Sequence, residues 1–143
     1  MNYVHQNKLI RWDLSIRNIL INSEKHVKIC DFGISKVIDL TTLTSLTHGV
    51  GTLAFMAPEI IKEDTNYIEK VDVYSFGVVM YFIVTKGQMP KFTGVGNYTD
   101  LKMPSNINKI SSKIIKDCWS LQPERRPSFR TLLDIISKKK FYY

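Results

Sequence analysis

Cysteine is scarce: Cys30 and Cys118 are the only two in 143 residues. They lie far apart and make no C-x-x-C pair, which excludes a disulfide framework and a cysteine-based zinc site. Two free, buried thiols in a reducing compartment are expected. Histidine is scarce too, and His5, His26 and His48 lack the spacing that holds a metal. Long apolar runs are missing. The longest, Phe76 to Val84, is far short of the roughly 20 residues that cross a bilayer, so no membrane partner is expected. The first residues show no basic stretch leading into an apolar one, so no secretory signal is read there. A cytoplasmic protein follows by default. The five prolines and seven glycines are dispersed, and no repeat, low-complexity tract or linker between two cores is visible.

Acidic side chains are in deficit: 13 Asp and Glu against 20 Lys and Arg leave a net charge of +7. That balance suits acidic partners such as phosphate. The basic residues do not cluster beyond Lys138-Lys139-Lys140, so an ordinary basic surface is a better reading than nucleic-acid binding. Those three fall where a last helix would end, and there cations offset the helix dipole. Hydrophobic residues make up 44%, a globular level. The length allows one domain at most, or a piece of one.

Asn2 to Gln6 reads as the last turn of a helix. Ile19-Leu20-Ile21 and Val27-Lys28-Ile29-Cys30 are short strand-like runs, and Asn22-Ser23-Glu24-Lys25 between them has turn chemistry, so a small hairpin is expected. Asp39 to Gly51, rich in Thr and Ser, reads as a mobile loop. Val71 to Thr85 is apolar nearly all round, which predicts a buried central helix ended by Gly87 and Pro90. Lys91 to Asn108 is loop-like. Ile110, Ile114, Ile115 and Cys118 repeat at helical spacing, as do Phe129, Leu132, Leu133 and Ile136. Ser128 is a cap candidate for the last helix. The expected fold is mainly α, with one small β-hairpin.

Phosphoryl transfer depends chiefly on positioning: metal ions held on phosphates, and an oriented hydroxyl. Asp13-Leu14 followed by Asn18, with Asp31-Phe32-Gly33 thirteen residues beyond Asn18, provides three suited groups. Asp13 can accept or align a hydroxyl proton. Asn18 can offer a carbonyl oxygen to Mg²⁺, and Asp31 a carboxylate bridging Mg²⁺ to phosphates, since hard cations prefer oxygen ligands. Either motif alone is common; together, with a hairpin between them, they are specific.

With these residues in view, the chain resembles the C-terminal lobe of a eukaryotic protein kinase. Tyr3-Val4-His5 through Asn18-Ile19-Leu20 looks like a helix end and catalytic loop, and Asp31-Phe32-Gly33 like the metal-binding motif. Gly51-Thr52-Leu53-Ala54-Phe55-Met56-Ala57-Pro58-Glu59 looks like the end of the activation segment, and Asp72-Val73-Tyr74-Ser75-Phe76-Gly77 like the start of the central helix. Cys118-Trp119, Pro123 and Arg126-Pro127-Ser128-Phe129 look like the last two helices. The resemblance implies a helical lobe over 1–143 with the catalytic loop at 11–18, the metal motif at 31–33 and the activation segment at 31–59. The central helix falls at about 71–85 and the last helices at about 109–138. The N-terminal lobe is expected to be absent. Arg17-Asn18 and the ending from Cys118 to Phe129 are similar to tyrosine kinases and the tyrosine-kinase-like group, whereas Gly51-Thr52 with Met56 to Glu59 is closer to Ser/Thr-directed members; the mixture resembles most the tyrosine-kinase-like group with Ser/Thr acceptors.

The resemblance also implies roles. Asp13 would be the base, assisted by Ser15 and Arg17. Asn18 and Asp31 would hold Mg²⁺ and, through it, ATP. Leu20 would lie under the adenine; the alternative is hairpin core. Glu59 would pair with Arg126, tying the activation segment to the last helices; the alternative is two unrelated surface charges. Asp72 would accept backbone N–H groups from the catalytic loop, and a plain helix N-cap is compatible with that. Thr52 would help hold the loop. Partners would be ATP, a protein substrate, and either the N-terminal lobe or another protein covering the apolar face of the central helix around Val78 to Val84.

Four departures stand against the family pattern. Arg11 replaces the usual His under Phe32, and a guanidinium there is hard to bury unpaired. Trp12 replaces the Arg that engages a phosphorylated activation loop, so Thr41, Thr42, Thr44, Ser45 and Thr47 are weak phosphosite candidates. Ser15 replaces a Lys that steadies the transferred phosphate, a charge Arg17 would partly restore. No glycine-rich loop or strand Lys precedes Asp13. Two functions therefore compete: a kinase fragment that, in its full-length form, phosphorylates Ser/Thr or Tyr hydroxyls and is inactive alone, and a catalytically impaired binding or scaffold module.

Overall fold

The computed structural model describes residues 1–31, 55–61, 69–90 and 103–138. Phe32, Gly33, Thr52, the loop hydroxyls from Thr41 to Thr47, and Lys139 and Lys140 lie outside them. Five α-helices occur among the described residues: α1 (Asn2–Gln6), α2 (Pro58–Ile61), α3 (Lys70–Val84), α4 (Lys109–Cys118) and α5 (Phe129–Lys138). Short 3-10 turns occupy Ile16–Asn18 and Pro123–Arg125, and one hairpin pairs β1 (Ile19–Ile21) with β2 (Val27–Ile29). The arrangement is mainly α with one two-stranded sheet. None of the described helices is long and apolar enough to cross a membrane.

α3 is the axis. Its sequence has no polar stripe, and the structure packs it on opposite sides. Val71, Tyr74, Val78, Val79 and Tyr81 join Phe55, Met56, Ala57, Ile60, Ile115 and Trp119 in one cluster. Val73 joins Leu14, Ile114, Cys118, Phe129 and Leu132 in a second. Each fully buried aliphatic side chain contributes roughly 1.5–3 kcal/mol. Gly77 lets α4 come close: a Cβ there would sit 2.7 Å from Trp119 Nε1 and 2.8 Å from the Cys118 Cβ. The C-terminus closes with Lys86 and Gly87 at φ 56° and 96° and a Gly87 N–H to Phe82 carbonyl bond of 2.8 Å.

The last helices are capped by side chains. Asn108 Oδ1 accepts from the Ile110 N–H at 2.8 Å, and Ser128 Oγ from the Thr131 N–H at 3.1 Å. The hairpin runs in the register Ile19↔Ile29, Leu20↔Lys28 and Ile21↔Val27. Its turn closes through Asn22 Oδ1, which accepts the His26 N–H at 2.8 Å.

Several expectations are corrected. The Val78–Val84 face of α3 is not open: Val78, Val79 and Tyr81 are buried within the first cluster, and Ile83 is the residue of that stretch left exposed, at 53%. The hairpin is not a core element, since Leu20, Ile21 and Val27 all face water and only Ile19 and Ile29 pack inward. In α5 the inward face is Phe129, Leu132, Ile135 and Ile136, and Leu133 is exposed. Both thiols are free, but Cys30 is half-buried and Cys118 alone is buried.

Candidate active site

The loop from Lys8 to Asn18 is held from beneath by one carboxylate. Asp72, on the first turn of α3, is fully buried. Its Oδ2 accepts the Arg11 N–H at 2.8 Å and meets His5 Nε2 at 2.9 Å, and its Oδ1 accepts the Trp12 N–H at 2.9 Å. Asp72 therefore caps a loop; the helix N-cap position falls to Glu69. Trp12 then adopts φ 66°, an unusual backbone for an aromatic residue, and its side chain packs on the first cluster. Leu14 drops into the second cluster as an anchor. Between these two apolar anchors stands Asp13, half-buried.

The 3-10 turn returns Asn18 to Asp13. The Asn18 Nδ2 group donates to the Asp13 carbonyl at 3.0 Å and to its Oδ2 at 2.7 Å. An amide carries two N–H donors and one carbonyl acceptor; both contacts use the nitrogen and leave Oδ1 for something else. The Asn18 carbonyl accepts the Cys30 N–H at 2.9 Å, which binds the end of β2 to the loop. Asp31 follows directly, exposed and at φ 59°. On the other side of that peptide, the buried Arg11 guanidinium donates through Nη2 to the Cys30 carbonyl. This bond answers part of the desolvation problem expected at Arg11; the buried Nε is not among the atoms it satisfies.

Asp13, Asn18 and the Cys30–Asp31 segment are thus brought together. Arg17 is exposed on the same turn. Leu20 is 55% exposed on β1. Ser15 faces inward at 1% exposure, and its Oγ has no hydrogen-bond partner among the described residues. Among those residues there is no cluster of three His, Cys, Asp or Glu able to enclose a metal. A cation held by one amide oxygen and one carboxylate, with phosphate and water completing the shell, requires no such cluster.

A second polar assembly lies behind the loop. Arg126, 1% exposed, donates to both Glu59 oxygens at 2.5 and 2.8 Å, to the Ser120 carbonyl at 2.9 Å and to the Lys70 carbonyl at 3.0 Å. Its guanidinium lies 5.0 Å from the Tyr74 ring centre. Ser75 Oγ donates to the Phe55 carbonyl at 2.7 Å. Residues 55–61 are thereby fastened to α3 and to the turn before α5. Cys118 lies in the core beneath, and burial, reinforced by Asp117, pushes its thiol up to about 12. A groove of about 570 Å³ between α4 and α5, around Ile110, Ile114 and Ile135, contains no residue of the loop from Lys8 to Asn18.

Sequence reasoning missed three contributors. His5 read as a scattered histidine, yet it bonds Asp72 and packs edge-on against Phe129 with ring centres 4.9 Å apart. Ser75 entered only as part of the central-helix motif, with no role of its own, yet it holds the Phe55 carbonyl. Gly77 carried a usable signal, because a glycine inside a helix with no turn to make marks a close approach.

The family described as protein tyrosine and serine/threonine kinase matches residues 1–136. Similar curated proteins include the mitogen-activated protein kinase kinase kinase dlk-1 of Caenorhabditis elegans, 44% identical over 137 residues, covering 90% of this chain and 14% of that protein. The serine/threonine-protein kinase CTR1 of Arabidopsis thaliana is 36% identical over 146 residues, covering 95% of this chain and 18% of that protein. The serine/threonine/tyrosine-protein kinase HT1 of Arabidopsis thaliana is 35% identical over 146 residues, covering 96% and 37%. The chain therefore spans 14% to 37% of the length of these relatives. The mixture of acceptor classes in their names is consistent with the mixed signature of Arg17-Asn18 and Gly51-Thr52. With most of its length matched, the chain belongs to the protein tyrosine and serine/threonine kinase family.

Proposed function

We propose that residues 1–143 form the C-terminal lobe of a kinase domain, with the catalytic loop at 11–18, the metal motif at 31–33 and the activation segment at 31–59. In the complete protein this lobe serves transfer of the ATP γ-phosphate to Ser or Thr hydroxyls of a protein substrate, with Tyr as the other acceptor. The observation that carries the reading is the fastening of Asn18. Its amide nitrogen is committed to Asp13, its carbonyl oxygen is left for a cation, and its backbone holds the strand that delivers Asp31.

These oxygens suit Mg²⁺, which takes few protein ligands and keeps phosphate and water for the rest. When bound, Mg·ATP would supply the phosphoryl group and the positive charge that offsets its oxygens. Asn18 and Asp31 would hold the cation. Asp13, pinned by the Asn18 amide, would orient the substrate hydroxyl and take its proton. Arg17 would bring positive charge to the phosphate, since Ser15 is turned inward. Leu20, exposed on β1, would offer an apolar seat for the adenine. Thr52, Asp72 and the Glu59–Arg126 pair would keep the loop and the activation segment in place. The nucleotide-cradling lobe is assigned to residues outside these 143, and the chain alone is expected to be inactive.

The test is transfer of labelled phosphate from ATP to a general Ser/Thr substrate by the chain joined to a relative's glycine-rich lobe. The joined form transfers phosphate, and Asp13→Asn lowers the rate by about 10²–10⁴-fold, the usual worth of a positioned base. An unchanged rate in Asp13→Asn contradicts the reading. Trp12 and the inward Ser15 favour a second reading, an impaired module that binds or scaffolds. It expects no nucleotide-dependent rise in melting temperature even for the joined form.

A further inference from the structure

We propose that Arg11 is a positioning residue that clamps the peptide preceding Asp31 and so keeps Asp31 in register with Asp13 and Asn18. Three observations meet at this side chain. Its backbone N–H is fixed to the buried Asp72 at 2.8 Å, so its Cα belongs to the rigid base of the loop. Its guanidinium is 4% exposed and donates to the Cys30 carbonyl. The same residue, Cys30, is held from the loop side by its N–H to the Asn18 carbonyl at 2.9 Å. Arg11 and Asn18 therefore grip the end of β2 from two sides.

What is gripped matters. The Cys30 carbonyl lies in the peptide plane that leads into Asp31, and rotation about the next bond is φ of Asp31. That angle is 59°, an uncommon backbone for a residue other than glycine, though one that Asp adopts more readily than most. A fixed Cys30 carbonyl sets one side of this rotation. The clamp's value for catalysis rests on the proposed role of Asp31 as a metal ligand, but its geometry does not.

The experiment is NMR on the full 143-residue chain and its Arg11→Met and Arg11→Lys variants. In Arg11→Met, exchange of the Cys30 amide accelerates about tenfold or more, as expected for losing one charge-assisted hydrogen bond, while the Val78 amide in α3 is unchanged. Arg11→Lys restores part of the protection. Arg11→Lys also serves as the test if Arg11→Met does not fold: its ammonium lacks the planar fork, and the Cys30 carbonyl carbon resonance moves relative to the natural chain. Unchanged Cys30 exchange in Arg11→Met, or an unchanged Cys30 carbonyl resonance in Arg11→Lys, overturns the proposal. Broadening of Asp31 signals by added Mn²⁺ reports separately on the metal role. If it is absent while Cys30 responds to Arg11→Met, the clamp stands and the metal assignment falls.

Discussion

Asp72 shows how one side chain can organise a loop. Its two oxygens serve two backbone N–H groups and one imidazole, all drawn from residues about sixty positions away in sequence. Asp72→Ala leaves the Arg11 and Trp12 N–H groups buried without an acceptor. Each such orphan costs about 1–3 kcal/mol, so urea unfolding should show a loss of roughly 2–5 kcal/mol. A loss below about 0.5 kcal/mol, typical of a surface change, would show that the carboxylate does not hold the loop. Cys118 makes a different prediction. With its thiol pushed up to about 12 by burial, the unfolded chain ionises this group before the folded chain does. Its contribution is complete below the unfolded value of 9 and is lost as pH rises towards about 12. Stability should fall across that window with a slope of up to about 1.4 kcal/mol per pH unit. In Cys118→Ala, whatever its own stability, that slope should disappear.

At the scale of elements, the helices were legible because their cause is local. The apolar circumference of α3 and the 3.6-residue spacing of α4 and α5 are written in consecutive residues, and the Ser128 cap sits where its side chain reaches its own helix. Leu133 was misplaced because spacing alone fits two adjacent helix faces, and only the partner helix decides between them. The hairpin was legible from its turn, but its exposure was not, since Leu20, Ile21 and Val27 are apolar and still face water. The α3–α4 contact was written only as a lone glycine. Gly77→Ala would drive a methyl to 2.7–2.8 Å from Trp119 and Cys118. Overpacking of this kind costs about 1–3 kcal/mol, outweighing the roughly 1 kcal/mol gained from helix propensity. The thermal midpoint of Gly77→Ala should drop, and an unchanged or raised midpoint would mean that the helices part without penalty.

Across the whole molecule, two polar assemblies flank α3: Asp72 under the loop and Arg126 behind residues 55–61. The motif spacing made Asp13, Asn18 and Asp31 legible as a set. It could not reveal that the Asn18 amide turns its nitrogen to Asp13, that Ser15 points inward, or that Arg11 has the Cys30 carbonyl to bond. Those are facts of packing between segments distant in sequence. The Glu59–Arg126 pair joins α2 to the turn before α5. Glu59→Gln removes the opposite charge from a guanidinium that is 1% exposed, a change that costs about 3–5 kcal/mol when a buried pair is broken singly. Glu59→Gln should lower the urea midpoint accordingly, whereas a shift under about 1 kcal/mol would place the pair with surface ion pairs.

The central claim is that Asn18 and Asp31 present their oxygens to one cation beside Asp13. The direct measurement is NMR line broadening of the full chain by Mn²⁺, a paramagnetic stand-in for Mg²⁺, added in steps with ATP. The account predicts that the Asn18 side-chain amide and the Asp31 backbone amide broaden first and together, and that Asp31→Asn weakens both effects. Broadening confined to acidic residues elsewhere, such as Asp117 or Glu124, with Asn18 and Asp31 untouched, would contradict it.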